Sequence, residues 1–384
     1  MTDLTVGVLG YGFMGKAHSN ALARLPMFFP DAPAIERHTL VGRDEEALAE
    51  AADRFGFTHT ETDWRNVVDA VDVFYNLGPN HVHAEPSIAA LEAGTNVFCE
   101  KPLAPTLERA REMYEAAESS EGVAGCAFNY RFVPAIQYAK GLIADGELGE
   151  IHHVRGRYLQ NWLVDPDAPW SWRNSAELAG SGALGDLGAH TIDLARFLVG
   201  DAAGEITRVS GDLRTFVDER ETEDGETRAV TVDDAYSAQA AFENGAMGTF
   251  EASRFATGHH NDHTIEVHGS DGSLKFALER LNELEYKSSD SRGYETILVT
   301  DPEDPYVDHW WPPGHVIGWE HTFVHENYEF LSAVAESEEG GDGGDGGAGE
   351  ESYPSFADAF AVQQVLDAIE QSDESGEWVS VSMV

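Results

Sequence analysis

Apolar and polar positions follow two different rhythms along this chain. Over the first third, short apolar runs alternate with segments whose apolar residues recur at spacings of three and four. LTVGVLG (4–10) predicts a buried strand and GFMGKAHSNALARL (12–25) a helix. HTLVG (38–42) predicts a second strand, and DEEALAEAADRFG (44–56) a helix ending at Gly56. VDVFYNLG, VHAEPSIAALEAG, TNVFCE, TLERAREMYEAAESS and GVAGCAFNY continue the alternation to about Asn129. Strands alternating with helices imply a parallel sheet covered on both faces. Beyond that point the period changes. IHHVRGRYLQNW, ITRVSGDLRTFV, AYSAQAAFENGAMGTFEASRF, HTIEVHGSDGSLKFAL and LNELEYKS predict strands joined by hairpins, with ENG and SDG as turns. One strong helix, GDLGAHTIDLARFLVG (185–200), interrupts them.

The pattern therefore predicts an α/β domain with a parallel sheet over 1–128. An open, predominantly antiparallel α+β domain follows over 129–354, and a C-terminal helix and tail over 355–384. The acidic, glycine-rich run at 336–352 reads as a flexible solvated loop. Ser355 reads as the N-cap of the last helix.

Charge narrows the class. The 384 residues carry 69 acidic and 24 basic side chains, a formal charge of −45. Such a surface repels nucleic acid and anionic membranes, so neither is expected as a partner. With 8 Trp, 19 Phe and 12 Tyr the chain is too aromatic to be a disordered acidic segment. The remaining physical reading is a folded protein suited to concentrated salt, where carboxylate repulsion is screened: a halophilic cytoplasm. No apolar run reaches transmembrane length, and MTDLTVGVLGYG has no signal-peptide pattern. Cys99 and Cys126 lie in apolar strand-like runs and read as buried thiols.

The first strand ends in GYGFMG, so Gly10, Gly12 and Gly15 fit G-x-G-x-x-G around Phe13 and Met14. At the first strand-to-helix turn this spacing serves a bound pyrophosphate: a tight turn, close backbone approach, and a helix N-terminus offering N–H groups. NAD binders usually end the second strand in an acid that accepts from the ribose hydroxyl. Here Gly42 holds that position and Arg43 follows, which favours NADP through space for a phosphate and a bidentate cation. The alternatives are that Asp44 takes the acidic role, giving NAD, or that Arg43 is a solvated helix-start residue.

Lys101, one of five lysines, follows a parallel strand's C-terminal end, where ligand crevices form. Asp186 and His190 lie four apart on a predicted helix and share a face. Lys, Asp and His suit oxidation of a carbinol: an imidazole takes the hydroxyl proton, an ammonium steadies the alkoxide, and a carboxylate orients. HHNDHTIEVH and WEHTFVHE are histidine-rich, but this chemistry is metal-free and no metal is expected.

GYGFMGKAH, GPNHVHAEPSIAALEAGTNVFCEKPLA and GSGALGDLGAHTIDLARFLVG together resemble the Gfo/Idh/MocA oxidoreductases. The resemblance implies a Rossmann domain followed by an open sheet that often forms a homo-oligomer interface. It implies Lys101, Asp186 and His190 as the catalytic trio, with a cis Lys101–Pro102 bond. Asn80 and His83 match a Pro-Asn-x-x-His stretch beside the nicotinamide, where Gly78 replaces a usual threonine, and Glu100 of the Glu-Lys-Pro element is implied at the cofactor with them. FNYRFVPA and YLQNWLVDPDAPWSWR resemble the subgroup containing levoglucosan and inositol dehydrogenases. That subgroup implies substrate contacts from Tyr130, Arg131, Gln160 and Trp162, with Trp172 and Arg173 at the same cleft, and NAD as cofactor. The implied substrate is a sugar, anhydrosugar or cyclic polyol. The alternatives are a nucleotide-retaining sugar–sugar oxidoreductase and a non-catalytic NAD(P)-sensing regulator.

Overall fold

The computed structural model describes residues 3–338 and 352–382. They divide into two compact units. The first comprises Met1–Ala104, Glu108–Asn129 and Gly318–Phe360; the second comprises Pro105–Leu107, Tyr130–Ile317 and Ala361–Val384.

The first unit holds the expected parallel sheet. Its strands are β1 (Asp3–Leu9), β2 (Ala34–Val41), β3 (His59–Glu61), β4 (Val73–Asn76), β5 (Asn96–Cys99) and β6 (Ala124–Cys126), in the order β3-β2-β1-β4-β5-β6. Every pairing is parallel. Strand order reverses between β1 and β4, which puts the switch point of a doubly wound sheet at the first glycine turn. Val6, Val8, Phe74, Tyr75, Val97 and Phe98 are buried, as a sheet covered on both faces requires. Helices α1 (Phe13–Phe28), α2 (Glu45–Phe55), α3 (Ala84–Glu92) and α4 (Leu107–Glu118) connect the strands. Local signals set the ends of α2: Asp44 accepts from the N–H groups of Glu46 and Ala47, and Gly56 closes it with φ 78°. Pro26 sits in the last turn of α1, which therefore runs one turn past the expected end.

The second unit begins with α5 (Pro134–Ala144), β7 (Ile151–Leu159) and the short α6 (Ala176–Ala179). A π-helical turn, Leu184–Gly188, leads into α7 (Ala189–Ala203), where a single α-helix is expected from sequence. The strands that follow are β8 (Ile206–Arg214), β9 (Glu219–Glu221), β10 (Thr227–Ala229), β11 (Ala235–Phe242), β12 (Met247–Ser253), β13 (Asp262–Gly269), β14 (Ser273–Ala277), β15 (Glu283–Lys287), β16 (Glu295–Leu298) and β17 (Val379–Ser380). All but the β9–β10 hairpin form one nine-stranded sheet, ordered β16-β15-β14-β13-β7-β12-β11-β8-β17. Only β7 and β12 pair in parallel. Burial alternates strictly along β11 and β12, so one face packs inward and α7 lies against β7 and β13 on it. Strands β9, β10 and β16 carry no apolar alternation, which is why the pattern misses them.

Two late helices complete the chain, α8 (Trp319–Glu338) and α9 (Phe356–Ser375). Chain order assigns α8 to the second domain, but its contacts place it in the first unit, packed on α1. Ser355 and Asp358 exchange backbone and side-chain hydrogen bonds at the start of α9, a reciprocal cap. The expected acidic loop is shortened at one end, since 336–338 close α8; residues 339–351 lie outside the described residues.

Candidate active site

Gly10 leaves β1 with φ 104°, a left-handed conformation that favours glycine, and its carbonyl lies where a Cβ on Gly15 would sit. Gly12 begins α1 with open space around it. Phe13 is 68% exposed and stacks on Trp319 of α8 at 5.6 Å, while Met14 is half-buried. The turn thus presents bare backbone and the positive end of a 16-residue helix, an anion cradle. At the end of β2, a Cβ on Gly42 would run into the Tyr11 ring, so packing requires this glycine. Arg43 is exposed, and Asp44 has one carboxylate oxygen engaged as the α2 cap.

The Lys101 segment is held from below. The Lys101–Pro102 bond is cis. Lys101 is half-buried, and its backbone N–H donates to Glu100 Oε2 at 3.1 Å. Glu100 is 5% exposed, so it lies under the segment. His83 is fully buried between two carbonyls, with Nδ1 3.0 Å from Pro102 O and Nε2 3.0 Å from Gly78 O. Burial pushes its pKa down, so one nitrogen donates at a time. The ring ties the turn after β4 to the turn after β5. Asn80 is half-buried beside it. A Cβ on Gly78 would meet only ordinary contacts, the nearest at 3.4 Å.

In the second unit, Asp186 lies in the π-helical turn and His190 at the start of α7. Tyr236 explains the glycine between them: its ring would stand 2.7 Å from a Cβ on Gly188. Upstream, Asp233 accepts from the N–H groups of Gly182 at 2.6 Å and Leu184 at 2.9 Å, closing the open end of the turn. Arg254, also buried, donates to the Asp233 carbonyl at 2.8 Å. Asp233→Ala leaves two buried donors without that acceptor at about 1–3 kcal/mol each. Chemical denaturation should therefore show a loss of several kcal/mol, and a smaller one for Asp233→Asn.

His190 is 9% exposed and packs among aromatic rings. Its ring centroid lies 4.7 Å from that of Tyr130 and 6.1 Å from that of Tyr158. Tyr130 and Tyr158 share a 2.8 Å hydrogen bond, and Asn261 Oδ1 accepts from both Tyr158 and Gln160 Nε2 at 2.7 Å. Because Tyr158 donates to Asn261, it accepts from Tyr130. His263 stacks on Tyr158 at 4.5 Å, and burial pushes its pKa to about 3. It is therefore neutral at working pH and no rival to His190 as a proton carrier in that range.

The second unit thus gathers Tyr130, Gln160 and His190 into one polar cluster. Arg131 is engaged elsewhere: its guanidinium holds Asp193 through two nitrogens, at 2.6–3.1 Å, with both residues buried. Trp162 is 42% exposed, with Arg254 over its ring at 5.7 Å. Trp172 carries Arg173 over its own ring at 4.4 Å, and both are half-buried. The sequence reading misses Tyr158, Asn261 and His263. Tyr158 and His263 sit at inward positions of β7 and β13, where a polar group among apolar neighbours is the one available signal. Among the described residues, no group of three or more His, Cys, Asp or Glu side chains is placed to hold a metal ion. No described helix is long and apolar enough to cross a membrane. Cys99 and Cys126 are buried free thiols.

A glycine turn at a Rossmann switch point and a histidine-bearing helix on an open sheet define an oxidoreductase class, and comparison with known proteins agrees. Residues 4–128 match the oxidoreductase family with an NAD-binding Rossmann fold, and 136–275 match the GFO/IDH/MocA C-terminal domain. The chain belongs to the Gfo/Idh/MocA oxidoreductase family. It is 42% identical to levoglucosan dehydrogenase of Pseudarthrobacter phenanthrenivorans, covering 100% of both chains. A structure of levoglucosan dehydrogenase in complex with NADH and levoglucosan superposes with a TM-score of 0.92 at 42% identity, again covering 100% of each chain. D-xylose 1-dehydrogenase [NADP(+)] of Haloarcula marismortui is 32% identical over 169 residues, 43% of this chain and 47% of that protein.

Proposed function

We propose that this chain is an NAD(P)-dependent dehydrogenase that oxidises a secondary hydroxyl of a sugar, anhydrosugar or cyclic polyol. One observation carries the reading. The His190 ring packs on the Tyr130 ring, whose hydroxyl joins the hydrogen-bond chain through Tyr158 and Asn261 to Gln160, on a chain that matches a levoglucosan dehydrogenase along its whole length. Bound NAD(P)⁺ supplies the hydride acceptor. His190 takes the hydroxyl proton as the carbinol C–H leaves as hydride. The Lys101 ammonium donates to the oxygen as negative charge builds on it, and Asp186 orients the reacting hydroxyl or the imidazole. Gln160 and Tyr130 hydrogen-bond ring hydroxyls, and Trp162, Trp172 and Arg173 border the sugar. Arg131, expected as a further substrate contact, is instead buried in its ion pair with Asp193. Gly10, Gly12, Phe13, Met14 and Gly15 would seat the pyrophosphate, and Gly78 and Asn80 would border the nicotinamide, while His83, buried between two carbonyls, fixes the turns rather than touching the ring as the sequence reading expects.

NADP is our reading of the preferred nucleotide. Arg43 is exposed, no acid ends β2, and Asp44 already caps α2. We further infer a cytoplasmic homo-oligomer that uses the open sheet and works in concentrated salt. Arg155, Arg157, Glu251, Glu266 and Lys275 give the sheet's outer face both signs of charge, which suits self-association.

The test is a screen of levoglucosan, other sugars and inositols in molar KCl, following nicotinamide absorbance with NAD and NADP in parallel. Turnover with a carbohydrate is expected, and Arg43→Ala should raise KM for NADP about tenfold or more while sparing NAD. Tight nucleotide binding without turnover of any carbohydrate would point to a sensor instead. Nucleotide retained through dialysis would point to sugar–sugar exchange.

A further inference from the structure

We infer that His18 and Asn327 are positioning residues, which fix the Glu100 carboxylate and through it the Lys101 backbone. The inference rests on the proposed role of Lys101. It starts from a polar thread through an otherwise apolar interior. His18 lies on α1, is fully buried, and is boxed by Phe98 at 5.5 Å, Phe323 at 5.1 Å and Tyr75 at 6.0 Å. Its Nε2 is 3.3 Å from Glu100 Oε1 and its Nδ1 is 3.2 Å from Asn327 Nδ2. Asn327 lies on α8, buried as well.

The direction of every bond follows from one backbone carbonyl. Asn327 Nδ2 donates to Phe323 O at 2.7 Å, and Asn327 Oδ1 accepts from the Tyr75 hydroxyl at 2.8 Å. The amide therefore has one orientation, with its second N–H turned toward His18. An imidazole nitrogen facing an N–H must accept, so Nδ1 is bare and Nε2 carries the proton. Nε2–H then donates to Glu100 Oε1, and Glu100 Oε2 accepts the Lys101 N–H. Three elements are threaded in one sense, from Asn327 on α8 through His18 on α1 to Glu100 in the turn after β5, where the Lys101 N–H meets the same carboxylate. Reversing any member would set donor against donor or acceptor against acceptor where water cannot compensate. The same arrangement gives a reason for α8 to pack with the nucleotide-binding unit. It also makes α1, whose first turn seats the pyrophosphate, the strut for the Lys101 segment.

Three measurements test this. In protein carrying ¹⁵N-histidine, the resonance lost in His18→Gln identifies His18, and its two-bond pattern reports the tautomer. The Nε2–H form is expected; the Nδ1–H form overturns the proposal. His18→Leu should lower kcat about tenfold or more with nucleotide affinity retained, and His18→Gln, which keeps a donor near the Nε2 position, should recover most of that loss. Equal kcat in His18→Leu and the parent overturns it, as does loss of the same size in His18→Gln. Finally, acylation of Lys101, read by peptide mass spectrometry against Lys16 as internal control, should change in rate in His18→Leu; an unchanged rate overturns the coupling. Tautomer and acylation are read without turnover, so an inactive enzyme would cost the dehydrogenase reading and leave this one decidable.

Discussion

Replacing His190 with asparagine should lower kcat by about 10²–10⁴-fold, the range of a lost general base, while nucleotide binding survives. Asparagine keeps a polar group of similar reach but cannot take the proton that must leave the hydroxyl as the hydride departs. The site offers no ready substitute. His263, the other histidine in the cluster, is held neutral by burial, and the Tyr130–Tyr158 pair runs toward Asn261 as a chain of donors. Lys101→Ala should lower kcat by about 10²–10³-fold for a different reason, loss of a cation aimed at developing charge. The two effects separate in solvent. Added small imidazoles should partly restore turnover in a smaller His190→Gly variant, and small amines in Lys101→Ala. Steady-state kinetics with a competent sugar, alongside fluorescence titration of the reduced nucleotide, decides it. Near-parental turnover in either variant removes that residue from the mechanism.

What could be read from the sequence is what depends on local chemistry. Gly10 to Gly15 are legible because that spacing makes the turn, and Gly56 and Ser355 are legible because caps are settled within four residues, whereas Asp44, read only as a possible ribose partner, turns out to cap α2. Asp186 and His190 stand out by type and spacing, although the π-helical turn between them has no signature beyond Gly188. Tertiary choices are less legible. Tyr130 and Arg131 read alike in FNYRF, yet one faces His190 and the other is consumed by Asp193 on α7. His18 falls on the apolar stripe of α1, where a histidine reads as a core residue until its partners arrive from positions 100 and 327. At Gly42 the structure adds a packing reason the sequence does not show, because a Cβ there would meet the Tyr11 ring.

Unfolding in dilute buffer should be the other large effect. If every basic side chain held one carboxylate, 45 carboxylates would still be left over. Many of the cations are also committed inside the fold, Arg131 to Asp193 and Arg196 to Glu205 among them. The excess repels itself over about 10 Å at 0.1 M salt but only about 3 Å at 1 M. Several kcal/mol of relieved repulsion would raise the thermal midpoint by on the order of 10 °C between these conditions. Glu370 on α9 supplies an internal check of sign. Burial first, then Asp233, Asp367 and Glu374, push its pKa up to about 7. As pH falls from about 7 toward the ordinary carboxylate range near 4.3, the folded state binds this proton before the unfolded state does, so this group's contribution to stability rises. Glu370→Gln should therefore stabilise the fold at pH 8, by an amount that shrinks as pH drops to 5. Scanning calorimetry in KCl and NaCl separates screening, which treats the two salts alike, from specific ion binding, which does not. A midpoint that stays flat from 0.1 to 2 M salt would mean that the acidic surface is held by something other than screening, and the inference of a salt-adapted protein would fall with it.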